Sequence, residues 1–244
     1  MRLTSLLSPL LLIPAASAQT VYWLLAGDST TATDGGWGDG FLSTTVKSPS
    51  SGTNFGHSGA TTKSFRAGGD WGRLITQIGV RKQQSYSRVY VTIQFGHNDQ
   101  KATSGVTLDQ YKTNLAAFAS EVVAAGGTPI LLTPLTRRTF GSGGKVVENL
   151  ANEAAVTIQV ANEKGLRWVD LNRKSTDYVN AIGSANADRY NYAAGDRTHL
   201  SPWGEVLFAR IVSDLLVAKY PGEFEGVTVR NATLSGLISS GRVA

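Results

Sequence analysis

Four short apolar runs punctuate the chain, and turn residues follow them. Thr20–Leu25 (TVYWLL) runs into Ala-Gly-Asp-Ser, Arg88–Phe95 (RVYVTIQF) into Gly-His-Asn-Asp, and Thr128–Thr133 (TPILLT) into Pro134; Leu166–Leu171 (LRWVDL) is the fourth. Near-continuous apolar runs of this length predict strands buried on both faces. Between them the spacing turns helical. Leu108–Ala125 places apolar residues at 108, 111, 115, 118, 122 and 125. Val146–Lys164 is alanine-rich and closes at Gly165, and Pro202–Lys219 follows Ser201 as N-cap with proline at its first position. Strands alternating with helices predict an α/β chain with a parallel sheet covered on both faces. No repeat or second compositional regime interrupts it, so one domain is expected. The Gly/Ser/Thr-rich stretches 28–40, 43–64 and 139–145 read as loops. In an open α/β sheet ligands bind beyond the carboxyl ends of the strands, which directs attention to the loops at residues 26 and 96.

The first residues follow another pattern. Arg2 precedes Leu6, Leu7 and the run Pro9–Ile13, and Ala16-Ser17-Ala18 offers small residues for cleavage. Residues 1–18 are expected to be a secretory signal peptide, leaving 19–244 as one secreted, extracellular domain. A buried N-terminal helix is the competing reading. A membrane anchor is not expected: the run is shorter than the roughly 20 residues a span needs and is broken by Pro9 and Pro14. In a secreted chain Asn231-Ala232-Thr233 makes Asn231 a candidate glycosylation site.

Composition narrows the chemistry. The 244 residues are 41% hydrophobic and 17% charged, enough for a full core. There is no cysteine, so disulfides, thiol nucleophiles and thiolate metal sites are excluded. Only His57, His97 and His199 can supply imidazole. The net charge of +5 suits an anionic partner, but no arginine stripe with interleaved aromatics indicates nucleic acid.

Four local patterns carry candidate chemistry. Asp28-Ser29-Thr30 follows the first strand, where a serine hydroxyl is presented at the sheet's edge and a following helix would offer N–H groups to an oxyanion; an N-cap serine fits the same residues. Asp196 stands three residues before His199, close enough across a tight turn to orient its ring; a capped loop histidine is the plainer alternative. Asn98, in Gly96-His97-Asn98-Asp99, can aim an amide N–H at a developing negative oxygen, or simply make an Asn-Asp turn. Gly59 lets a backbone N–H approach a ligand closely.

Together these blocks resemble the SGNH (GDSL-like) hydrolase superfamily, and most closely the fungal rhamnogalacturonan acetylesterases of carbohydrate esterase family 12. The resemblance rests on Gly27–Thr30, Gly36-Trp37-Gly38, Phe95–Asp99 and Asp196–Gly204 and spans roughly residues 20–220. It implies a three-layer α/β/α sandwich around a parallel five-stranded sheet, flavodoxin-like in arrangement. It implies Ser29 as nucleophile, His199 as base and Asp196 as its orienter. The oxyanion hole would be the backbone N–H groups of Ser29 and Gly59 with the Asn98 side chain. It implies a serine esterase, with no metal or organic cofactor, acting as a monomer on an acetylated plant cell-wall polysaccharide, rhamnogalacturonan first. Asp28, Trp37, Arg66 and Trp71 are candidate substrate contacts, and Lys63, Arg73, Arg137 and Arg138 could meet galacturonate carboxylates. For each, packing or solvated surface charge is the alternative. Disulfides described in some relatives cannot form here. His57 and His97 match no catalytic position, and strand alternation is expected to turn His97 away to hold its loop. Other readings are an acetyl esterase on xylan or other sugars, a short-chain acyl or lipid esterase, and a carbohydrate-binding protein without turnover.

Overall fold

The computed structural model describes residues 19–84 and 86–244; the signal peptide expected over 1–18 lies outside the described residues. Five strands, β1 (Val21–Gly27), β2 (Ser51–Asn54), β3 (Arg88–Gln94), β4 (Thr128–Leu132) and β5 (Arg167–Val169), form one all-parallel sheet in the order β2-β1-β3-β4-β5. The register between β1 and β3 explains the layers. Tyr22, Leu24 and Ala26 lie beside Val89, Val91 and Ile93, and all six pack on one face with Phe65, Leu74, Ile78 and Phe118. Val21, Trp23, Leu25 and Tyr90 face the opposite side, against Phe41, Leu207, Phe208 and Ile211. Both faces are apolar because helices cover both. The first is covered by α2 (Thr62–Ala67), α3 (Asp70–Lys82), α4 (Leu108–Ala124) and α5 (Ala151–Glu163). The second is covered by α1 (Gly38–Thr44), α6 (Leu171–Ile182) and α8 (Pro202–Lys219). The short α7 (Ser184–Ala187), α9 (Pro221–Phe224) and α10 (Ala232–Ser239) complete the helices named here. The arrangement is the α/β/α sandwich that the resemblance implies.

The four apolar runs are strands, and α8 begins where Ser201-Pro202 predicts: Ser201 Oγ accepts from Gly204 N–H at 3.2 Å. Three expectations fail locally. β2 lies inside the stretch read as loop; its sequence, Ser-Gly-Thr-Asn, carries no apolar signal because it is an edge strand joined to β1 by backbone pairing and one hydroxyl contact, Tyr22 to Thr53 at 2.7 Å. The helix expected from Val146 starts at Ala151. Val146 is drawn into the core instead, bridges Phe140, and donates its N–H to Asn180 Oδ1 at 2.8 Å. Finally, no helix follows Ser29 directly; turns fill the interval before α1.

Candidate active site

β1 ends at Gly27, and the chain then doubles back. The Asp28 carbonyl accepts from the N–H groups of both Thr31 and Ala32, at 3.0 Å each, and the tight turn holds Ser29 at the carboxyl edge of the sheet. His199 comes from the loop before α8, with its Nε2 2.9 Å from Ser29 Oγ and its Nδ1 2.8 Å from Asp196 Oδ2. Asp196 builds its own turn as well: Oδ1 accepts from the backbone N–H groups of Thr198 and His199, each at 3.0 Å. One carboxylate oxygen therefore shapes the loop while the other fixes the ring. With Nδ1–H donated to Asp196, the Nε2 lone pair faces the serine hydroxyl, the arrangement in which imidazole can take its proton. Burial pushes the Asp196 carboxyl up, but the donors of His199 and Thr198 outweigh it and hold the group below the usual carboxylate range.

Three candidate donors lie on loops that follow the neighbouring strands β1, β2 and β3. Among the described residues, neither the Ser29 nor the Gly59 backbone N–H donates to a protein acceptor. Gly59 sits at φ +78°, and a Cβ there would meet nothing within 4 Å, so its peptide is open to a ligand. The Gly59 loop continues β2 alongside β1, with Phe55 N–H on Leu25 O (2.8 Å) and His57 N–H on Gly27 O (3.0 Å). The loop of Asn98 follows β3. Asn98 Nδ2 donates to Ala60 O at 3.0 Å, which ties the two loops together and leaves the second amide hydrogen for a ligand. A cavity of about 170 Å³ opens beside Gly59 among His57, Ser58, Ala60, Ser64 and Asp70.

Beneath the site lies a buried polar layer. Asp28 is fully buried, and its Oδ1 accepts from Thr30 N–H (2.9 Å) and Thr30 Oγ–H (2.8 Å). Gln94 Nε2 donates to Thr30 Oγ1 at 2.8 Å, while Gln94 Oε1 accepts from Trp37 Nε1 at 2.8 Å; the donor-only indole fixes which way the amide faces. The other Asp28 oxygen lies 3.6 Å from His97 Nδ1. Burial works against the Asp28 carboxylate, but His97 and the two Thr30 donors prevail and keep its pKa low. His97 is buried, but β3 ends at Gln94 and Gly96 turns the chain at φ +136°, so strand alternation does not set its direction; among the described residues neither ring nitrogen makes a hydrogen bond, so it does not tie its loop as expected.

This layer corrects the expected substrate contacts. Asp28 and Trp37 are enclosed beneath the site and cannot touch substrate. Trp71 is buried too, stacked on Phe118 at 4.0 Å and donating to Glu121 at 2.6 Å. Arg66 forks onto the same Glu121 and lies over Phe118, so it supports α4 rather than the site. Arg73 is paired with Asp70, which also holds His57. Arg138 is fully buried, with Nη2 on His199 O (2.5 Å) and Nε on Asn191 Oδ1 (2.7 Å). Arg137 bridges the Thr198 hydroxyl and His97 O. Both arginines therefore brace the histidine loop. The sequence reading did not single out Gln94, Lys101 or Tyr192. Tyr192 is 56% exposed and donates its N–H to His199 O at 2.9 Å; a Cβ on Gly35 would touch both its ring and His199. An aromatic ring at the rim was hidden because nothing in the Tyr-Asn-Tyr run separates the exposed ring from the buried Tyr190.

The chain is similar to a rhamnogalacturonan acetylesterase from Bacillus subtilis (strain 168), 28% identical over 137 residues that cover 51% of this chain and 59% of that protein. Among solved structures it resembles a Bacillus subtilis protein (TM-score 0.69, 24% identity, covering 83% of this chain and 57% of that one). It also resembles an acetylxylan esterase from Geobacillus stearothermophilus (TM-score 0.59, 21% identity, covering 87% and 100%). At these identities the structural likeness is one of fold. The chain spans less than two thirds of the length of both Bacillus subtilis proteins. The model of the GDSL-like Lipase/Acylhydrolase family matches residues 25–207, from within β1 into α8, a span that takes in Ser29, Gly59, Asn98, Asp196 and His199: the chain belongs to that family.

Proposed function

We propose that the chain is a secreted serine esterase that removes acetyl groups from a plant cell-wall polysaccharide, acetylated rhamnogalacturonan first. The observation that carries this reading is the unbroken line from Asp196 through His199 to Ser29, at 2.8 and 2.9 Å. Ser29 Oγ attacks the ester carbonyl as His199 Nε2 takes its proton. The carbonyl oxygen becomes negative and is met by the N–H groups of Ser29, Gly59 and Asn98. Collapse releases the sugar hydroxyl, which receives the proton from His199, and leaves an acetyl-serine. Water then attacks in the same way, with His199 again as base, and acetate leaves.

The substrate reading draws on the bacterial relative named above and on the positive charge, which favours a polyanionic backbone. An apolar groove does exist, but it is lined by Ile211, Leu215 and Ala218 on the far half of α8, roughly 14 Å along the helix from its His199 end. That placement disfavours a lipid esterase. Tyr192 replaces Trp37 and Trp71 as the ring on which a sugar would stack.

The test is acetate release from acetylated rhamnogalacturonan, acetylxylan, an aryl acetate and a long-chain ester. Ser29→Ala should abolish all turnover; retained turnover would overturn the serine mechanism. Faster release from xylan would move the substrate assignment to that polymer. Tyr192→Ala should raise KM for the preferred polymer by about 2- to 10-fold and leave the aryl acetate unaffected. Secretion predicts a mature chain starting at Gln19. Asn231 caps α10 through Oδ1, which accepts from Leu234 N–H at 3.0 Å, and its exposed amide nitrogen remains available for a glycan.

A further inference from the structure

Asn98 can serve an oxyanion only if its amide nitrogen, not its oxygen, faces the ester. The two ends of the amide differ by a single atom type and little in shape, so something must choose between them. Two contacts choose together: Ala60 O, an acceptor, takes Nδ2 on one side, and Lys101, three residues on, takes Oδ1 on the other. Lys101 Nζ lies 2.6 Å from Asn98 Oδ1. An ammonium has donors only, so it must take the oxygen, just as the Ala60 carbonyl can take only Nδ2; the two grip the amide in the same orientation. The turn that brings the two side chains together is itself hydrogen-bonded, with Lys101 N–H on Asn98 O at 3.1 Å and Gln100 N–H on Gly96 O at 3.1 Å. A cation on the amide oxygen also polarises the amide, drawing electrons from nitrogen and sharpening its N–H as a donor.

Resting on the serine-esterase reading, we propose that Lys101 is a positioning residue of the oxyanion hole: it locks the Asn98 amide in its donating orientation and strengthens it as charge develops on the ester oxygen. The ester carbonyl is neutral in the ground state, so the contribution grows toward the transition state and falls on kcat rather than on KM. Lysine was not singled out by the sequence because its role depends on which end of a neighbouring amide it grips.

The test is a mutant cycle on a neutral aryl acetate, with folding of each variant checked by thermal melting. Lys101→Met should lower kcat about 10- to 100-fold with KM within twofold, and Lys101→Arg, which keeps a donor-only cation, should recover most of the loss. In an Asn98→Ala background, itself slower by about 10²–10³, Lys101→Met should cost less than twofold more. An equal loss in both backgrounds would overturn the proposal. So would an effect confined to KM on the anionic polymer, which would make Lys101 a substrate contact. The Ser29→Ala arm separates the two levels: if it stays active, the serine reading fails, whereas a dead Ser29→Ala with uncoupled Lys101 defeats only this assignment.

Discussion

Asp196 and Asp99 are two carboxylates of the same site region with opposite electrostatic fates. Asp196 has three donors close by, in the backbone of Thr198 and His199 and the ring of His199, and its pKa is lowered. A group whose folded pKa is depressed stabilises the fold above its unfolded value and loses that contribution as the pH falls through the folded value. Asp196→Asn keeps the shape but offers His199 Nδ1 an amide that no longer holds the ring in one tautomer. Steady-state kinetics should show kcat down by about 10³–10⁴. Asp99 is buried, its Oδ1 takes both Thr62 donors, and its Oδ2 has no partner. Burial first, and the nearby Asp28 charge with it, outweighs the Thr62 bonds and pushes its pKa up to about 6. The sign is reversed here: the folded chain binds the proton more tightly, so stability is lost as pH rises from about 4 to about 6, on the order of 3 kcal/mol. Asp99→Asn keeps an oxygen for Thr62 and removes that slope. Urea denaturation of both proteins at pH 4.5 and 7 should show the variant gaining relative to wild type at the higher pH. At this scale the reactive residues were legible only jointly: a serine after a strand, a carboxylate three residues before a histidine, an asparagine at a strand end and a loop glycine each have a plainer reading, and it is their order along the chain that matches one family. Trp37, Trp71 and Arg66 were not, because Gln94, Phe118 and Glu121 decide their surroundings, and these lie 55 or so residues away in the chain.

Elements turn those local motifs into a site, and the contact between α1 and α8 shows how tightly. A Cβ on Gly40 would stand 2.5 Å from the backbone oxygen of Glu205, so the two helices approach at a distance only glycine permits. Glu205 in turn accepts from Gly35 N–H at 2.7 Å, and Gly35 packs against His199. Gly40→Ala must therefore push α8 outward, and with it the loop that carries the base. The expected cost is about 1–3 kcal/mol, read as a melting temperature lower by several degrees, with kcat reduced at nearly constant KM. A variant that melts lower yet keeps full kcat would show that the displacement stops short of the loop. The strong elements were legible from apolar period and capping, as with α8. The weak ones, β2 and the loop before α5, were not, because backbone pairing to β1 and the burial of Val146 set them rather than any pattern of their own.

Over the whole molecule, charge is the property that a polymer substrate meets first. Arg2 is the only charged residue in the expected signal peptide, so the mature chain would keep a net charge of +4. That charge is not gathered into a built carboxylate site. Of the five cations expected to line the rim, Arg66 and Arg73 are paired with acids, and Arg137 and Arg138 brace the histidine loop. Lys63 is exposed on α2. Attraction to a pectic backbone must then be long-range steering rather than bidentate recognition, and steering is weakened once the screening length falls below about 10 Å, near 0.1 M salt. Raising sodium chloride from 0.02 to 0.3 M (about 20 to about 6 Å of screening) should increase KM for the anionic polymer several-fold and leave the neutral aryl acetate unmoved. A polymer KM indifferent to salt would mean that the sugar face, with Tyr192, holds the substrate without help from charge. Loss of turnover on both substrates would instead place the salt effect inside the site, where the Lys101–Asn98 and Asp196–His199 contacts both involve charge.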